Sequence, residues 1–291
     1  MPRTARARAS RTASLRFDEK LVLNQYLLSL FEVDRFEDLA ADLKDESLEG
    51  WDENNTSYFY HQLVNSSLFD RCHLERELLL EYDQNIYRHT RTIQGKRNEP
   101  LKWKYFQYLS LLFTEIYLDR YFRDEKALLK SLNEYVESFN QDKAAADKVD
   151  LYSAADLTKL AFWNATSSGK TLLMHVNILQ YQHYLNRHGR INELNRIIVL
   201  TPNEGLSLQH LEELHLSGIP ARIFDKDASM SGMSSYTLQG NLFDTGTMVY
   251  QPTILSSPRK PMVEIIDIHK LREDSGQKTV AVDAFEGNNL L

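Results

Sequence analysis

The residues best equipped for chemistry stand together as Ser167-Ser168-Gly169-Lys170-Thr171, inside the stretch "LAFWNATSSGKTLLMHVNILQYQHYL" that covers 160–185. A turn ending in Gly-Lys-Thr between a strand and a helix gathers backbone N–H groups and a helix N-terminus around one point, which suits phosphate oxygens. There Lys170 would neutralise phosphate charge and the Thr171 hydroxyl would hold Mg²⁺. The full pattern G-x-x-x-x-G-K-[ST] is not met, because Asn164 occupies the first glycine position. Ser167 brings a Cβ into a tight loop whose backbone angles glycine accepts more easily. The competing reading is a chance Ser-Gly-Lys-Thr at a strand–helix junction.

Other reactive side chains are less organised. His175 and His183 fall eight apart on the expected helix, roughly on one face but too distant to share a metal, so packing accounts for them better. Cys72 beside His73 has the makings of a nucleophile, against a default of an inert thiol. Trp103, Tyr105 and Tyr108 mix with Lys102 and Lys104 as aromatic and basic residues do on nucleic-acid surfaces. At helical spacing the plainer account is a core stripe with a solvated rim.

The elements that must hold these residues come in two textures. From Phe17 to about Lys148 the apolar residues recur at helical spacing, as in "FDEKLVLNQYLLSLF", "HLERELLLEYDQNIYRHTRTIQ" and "LKWKYFQYLSLLFTEIYLDRYF". A polar, alanine-rich linker at Gln141 to Lys148 is the expected boundary. Beyond it short apolar runs alternate with helical ones: "KLAFWNAT" as a buried strand, then a helix closed by Gly189, "NRIIVLTP" as a strand, "GLSLQHLEELHLSG" as a helix, and "ARIFDK" as a strand. Residues 228–260 look like a loop or irregular insertion, after which "MVEIIDIHKL" and "KTVAVDAF" resume strand patterns. That alternation predicts a parallel sheet with crossover helices. The expected class is α/β: a basic tail at 1–16, a helical accessory region at 17–148 and an incomplete P-loop domain with a parallel sheet at 149–291.

Bulk properties narrow the functional classes. The chain has 291 residues with a formal charge of 34 − 41 = −7, so net field does not draw it to nucleic acid, although a local basic face still can. The first sixteen residues carry five arginines and no acid, which fits a disordered start, a phosphate-touching arm or an organelle transit peptide. A single cysteine forbids an internal disulfide, and no Cys/His spacing resembles a zinc site. With no secretory signal and no apolar run near the ~20 residues that cross a bilayer, a cytoplasmic protein is expected.

Taken with "NRIIVLTPNEGLSLQHLEEL", the 160–185 stretch resembles the first motor domain of superfamily 2 DEAD/DEAH-box helicases, in the branch related to the Res subunit of type III restriction enzymes. In that branch the loop usually reads Ala-Thr-Gly-Ser-Gly-Lys-Thr; Ala165, Thr166, Ser168, Gly169, Lys170 and Thr171 match and Ser167 does not. The resemblance implies a RecA-like domain with ATP and Mg²⁺ as cofactors, held at Thr166 to Thr171. It also implies contacts from Thr201, Pro202, Asn203 and Gln209 to the backbone of a bound DNA strand. "KYFQYLSLLFTEIYLDRYF" resembles the segment in which such motors read adenine, with Gln107 as the reader; a polar residue on a core helix is the rival account. The resemblance covers Leu101 to Leu291.

In that family a segment like Phe285 to Asn289 leads into the strand of the Asp-Glu-x-His box, and the sequence stops at Leu291. Asp283 and Glu286 precede the expected place of those acids and are weak substitutes. The expectation is therefore an ATP-binding N-terminal fragment of a restriction- or defence-type DNA-dependent ATPase, catalytically incomplete alone. Its partners would be DNA and a companion polypeptide carrying the remaining motor domain, or a methyltransferase subunit. The alternative is a non-catalytic interaction module with a degenerate loop; a complete compact NTPase is disfavoured because no acidic second motif follows a later strand.

Overall fold

The computed structural model describes residues 17–224 and 262–271, so the basic tail, the 228–260 insertion, "KTVAVDAF", Asp283 and Glu286 lie outside the described residues. The chain divides into two compact units, one of Met1–Asn85 with Lys102–Thr166 and the other of Ile86–Leu101 with Ser167–Leu291. No described helix is long and apolar enough to cross a membrane.

The first unit is helical. It holds α1 (Val22–Ser29), α2 (Phe36–Ala40), α3 (Tyr58–Asn65), the first half of α4 (Arg76–Gln94), α5 (Tyr105–Arg123) and α6 (Glu125–Asn140). Caps set several of these boundaries: the Ser57 hydroxyl accepts from Tyr60 N at 2.9 Å to start α3, and Asp124 accepts from Ala127 N at 2.9 Å to start α6. α5 is the spine of the unit, buried at Tyr108, Leu109, Leu111 to Asp119 and Phe122. Each fully enclosed leucine or isoleucine there, such as Leu112 and Ile116, contributes roughly 1.5–3 kcal/mol by leaving water.

A helix buried on all sides must also bury its polar side chains, and these are paired. Asp83 accepts from Ser57 N at 2.9 Å, from the Ser57 hydroxyl in a short contact, and from the Tyr108 hydroxyl at 2.7 Å. The Tyr82 hydroxyl donates to Asp119 at 2.8 Å, and Arg123 meets the same oxygen at 2.7 Å. Asn85 donates to Glu115 at 3.1 Å. Such bonds remove most of the desolvation cost that an unpaired buried group would carry.

The linker expected at Gln141 to Lys148 does not part the two units. Asn140 clasps Val149 through both its amide atoms, at 2.8 and 2.9 Å, and Asn133 holds Tyr152 in the same way at 3.0 and 2.7 Å. The Tyr117 hydroxyl adds a bond to Leu157 O at 2.7 Å. Polar, alanine-rich composition pointed to a flexible joint, but two asparagines supply backbone pairing that composition does not reveal. The division falls instead after Thr166.

The second unit contains α7 (Lys170–Arg187), β1 (Ile197–Thr201), α8 (Glu204–Leu216), β2 (Ala221–Ile223) and β3 (Val263–Asp267). The strands form a parallel sheet in the order β1-β3-β2, with Ile197 opposite Val263 and Ala221 opposite Val263. β3 is central and buried through Val263, Glu264, Ile265 and Ile266. Glu264 is tolerated there because Arg196 reaches it at 3.3 Å and Arg222, its in-register neighbour on β2, closes on its other oxygen. The α/β class is therefore present, as a helical region followed by a small parallel sheet.

Residues 86–101 join this unit through a tight contact. Lys96 N bonds Leu216 O at 3.0 Å, and Arg97 reaches the Ser217 hydroxyl at 2.9 Å and Glu213 at 2.8 Å. Gly95 has φ +47°, and a Cβ on it would sit 2.2 Å from Leu216 O, so no other residue fits the turn unchanged.

One expected strand is absent. "KLAFWNAT" (159–166) is irregular, with Phe162 46% and Trp163 78% exposed. Apolar and aromatic content favours a strand only when a neighbouring strand supplies the hydrogen-bond ladder, and no described strand pairs with this segment.

Candidate functional site

The loop expected to hold phosphate has a distinctive backbone. Ser167 has φ +60° and Gly169 has φ +79°, ψ 24°, so two left-handed residues flank Ser168 immediately before α7. Glycine enters that region freely, whereas a serine held there is disfavoured by about 1–2 kcal/mol. Ser167 therefore adopts the conformation of the glycine it stands in for. Ser168 is buried, Ser167 and Lys170 are exposed, and Thr171 is half-buried. The division between the two units passes through this loop, leaving Asn164 to Thr166 on one side and Ser167 to Thr171 on the other.

α7 is 18 residues long, and its first turn contains no acid. The first turn of a helix directs N–H groups outward without intrahelical acceptors, and its dipole adds partial positive charge there. An exposed lysine at the first helical position raises that potential. Together these groups suit a multiply charged phosphate tail.

The second expected set lies at the C-terminal end of β1. Thr201 is buried and turns its hydroxyl inward, 2.6 Å from Ser207 Oγ and 3.3 Å from Ile266 O. Asn203 caps α8 by accepting from Leu206 N at 2.9 Å. Pro202 and Gln209 are exposed. The second unit thus holds Lys170, Thr171 and all four of these residues, but Thr201 and Asn203 use their side chains to build the β1–α8 turn. Gln107 belongs to the first unit, where its carbonyl oxygen accepts from Lys104 N at 2.9 Å and caps α5.

The other candidates resolve as structure. The Cys72 thiol donates to Leu30 O at 3.2 Å, and burial raises its pKa, which opposes thiolate formation. Trp103 and Tyr108 are core residues, and Lys104 pairs with Glu49 at 3.1 Å, so the aromatic-basic stripe is a core with a charged rim. His175 is buried with Nδ1 2.8 Å from the Ser217 hydroxyl; burial, then Arg97 and His210, lowers its pKa to about 4. His183 packs edge-on against His89, with ring centroids 5.8 Å apart. Among the described residues no group of three or more His, Cys, Asp or Glu is arranged to hold a metal.

Sequence reasoning missed the Arg97–Ser217–His175 chain and the Gly95 contact. The segment "GKRNEP" shows itself only as a basic turn, and nothing local ties it to Leu216, more than a hundred residues away. No family model, curated protein or solved structure gives a match to this chain.

Proposed function

We propose that Ser167 to Thr171 binds the phosphates of a nucleoside triphosphate with Mg²⁺, and that the second unit is part of a RecA-like, nucleic-acid-dependent motor ATPase of the restriction or defence type. The observation that carries this reading is the left-handed serine followed by a left-handed glycine at the head of α7. Strained backbone persists where surrounding structure over-determines it, and such positions cluster at ligand-binding turns. The parallel β1-β3-β2 sheet, with α8 as the crossover from β1 to β2, supports the architecture.

In this reading Lys170 places its ammonium against the terminal phosphates, while the amides at the start of α7 cradle the inner ones. Mg²⁺ fits the residues present: it keeps most of its water and takes few protein ligands, so the Thr171 hydroxyl and phosphate oxygens suffice without a carboxylate cage. Pro202 and Gln209 offer a surface for a nucleic-acid backbone. The chain's own contribution is binding; turnover calls for carboxylates of the kind that the family's acidic box supplies.

Calorimetry with Mg-ATP tests the reading. The wild-type chain should bind, Lys170→Ala should weaken binding by about tenfold or more, consistent with losing a charge-assisted contact, and hydrolysis should be negligible in both. No heat at millimolar Mg-ATP, or equal affinity in the Lys170→Ala variant, sinks it. Binding seen only after Ser167→Gly would favour an interaction module with a lapsed loop.

A further inference from the structure

The two edges of the sheet are built differently. β2 is three residues long and carries Arg222, engaged with Glu264. β1 runs five residues, Ile-Ile-Val-Leu-Thr, with no charge and no proline. One side of β1 pairs with β3, and among the described residues no strand pairs with the other. Leu200, in the middle of this edge element, is 55% exposed. Proteins blunt exposed strand edges by keeping them short, charging them or inserting proline. β2 has two of these protections and β1 has none, although strands this apolar normally lie inside a parallel sheet.

We infer that the outer edge of β1 is a strand-addition site, and that its occupant is Lys278–Phe285 of the same chain. Size decides against an intermolecular partner: five residues make a strip about 17 Å long and one strand spacing, ~4.8 Å, wide. A stable complex covers about 800 Å² on each partner. A tethered segment needs far less, because a short linker holds it at millimolar effective concentration. Lys278–Phe285 has the composition required: Thr279, Val280 and Val282 favour strands, no proline interrupts, and Lys278 and Asp283 flank the run. The other stretch outside the described residues, 225–261, joins β2 to β3 and carries Pro252, Pro258 and Pro261.

The reach is sufficient. Leu271 to Thr279 spans 279 − 271 = 8 residues, about 26–29 Å when extended. A strand outside β1 lies two strand spacings from β3, about 10 Å, and a parallel return adds about 17 Å along the sheet, a straight path of about 20 Å. Both strand directions are open to it. The inference does not depend on nucleotide binding.

Amide hydrogen exchange of the Ile197–Thr201 peptide, in the full chain and in a Val280→Pro/Val282→Pro variant, tests it. Proline removes the donors that a ladder needs, so the β1 amides should exchange about tenfold faster or more in the variant. Sedimentation should show the same mass for both proteins. Equal exchange in the two proteins overturns the inference, as does protection of β1 that rises with protein concentration, which would make the occupant a second copy.

Discussion

In the first unit Asp83 is wholly buried and accepts three hydrogen bonds; in the second, His175 is equally buried and has one, with its Nε2 lacking a partner. Burial acts on both in the direction of neutrality, raising the Asp83 pKa and lowering that of His175 to about 4. Asp83 is drawn back toward its charged form by Ser57 and Tyr108, whereas Arg97 and His210 push His175 further from its own. The contrast shows two ways of hiding a titratable group: surround it with donors, or keep it uncharged. The first makes a core that depends on specific partners, and the second makes one that depends on pH.

The largest expected effect removes the carboxylate at the centre of the first arrangement. Asp83→Ala leaves Ser57 N and the Tyr108 hydroxyl without their acceptor, at a cost of about 3–4 kcal/mol if each orphan carries its usual desolvation penalty. Trp51, Trp103 and Trp163 all belong to the first unit, so tryptophan emission in a urea titration follows that unit directly. A loss below about 1 kcal/mol would show that the donors find other partners, and the contrast with His175 would collapse.

Acid should affect the two units in opposite directions. The folded pKa of His175 lies below the unfolded value of 6.5, so the unfolded chain binds the proton first. Its contribution is complete above pH 6.5, falls as pH drops and levels off near 4, a loss of about 3 kcal/mol. His89, lowered to about 3 by burial and then by His183 and Arg88, extends the decline downward. Asp83 has the reverse sign: its raised pKa means that protonation relieves the folded state, so its penalty shrinks as pH falls. Exchange protection of α7, corrected for intrinsic rates, should therefore drop between pH 6.5 and 4 while tryptophan emission holds. Flat α7 protection across that window would mean that His175 meets water before the unit opens.

Much of this was open to reading from the sequence where the signal is local. Period and caps fix α4 to α8, and β1 and β3 are β-branched runs bounded by polar or proline residues. Legibility fails where a partner distant in the chain decides the outcome. "KLAFWNAT" has the content of a strand and no neighbour to pair with, whereas "ARIFDK", with a charge in its middle, becomes β2 because Glu264 receives Arg222. The Gly-Lys-Thr turn was visible in full, since phosphate-gripping chemistry is written in consecutive residues. Its backbone state was not, because serine at 167 argues against the left-handed angle that the surrounding turn imposes on it.

That imposed angle gives the smallest effect and the one that bears most directly on the loop. Ser167→Gly removes about 1–2 kcal/mol of left-handed strain but makes the unfolded chain more flexible by about 0.4–1 kcal/mol, for a net gain of about 0.5–1 kcal/mol. Ser167→Ala keeps the Cβ and deletes only the hydroxyl, so it should leave stability unchanged if the angle is the cause. A thermal scan of the three proteins separates the terms: a higher midpoint for glycine alone assigns the cost to the backbone. Equal gains for glycine and alanine would assign it to the hydroxyl, and the loop would then be relaxed at 167 rather than held for a ligand.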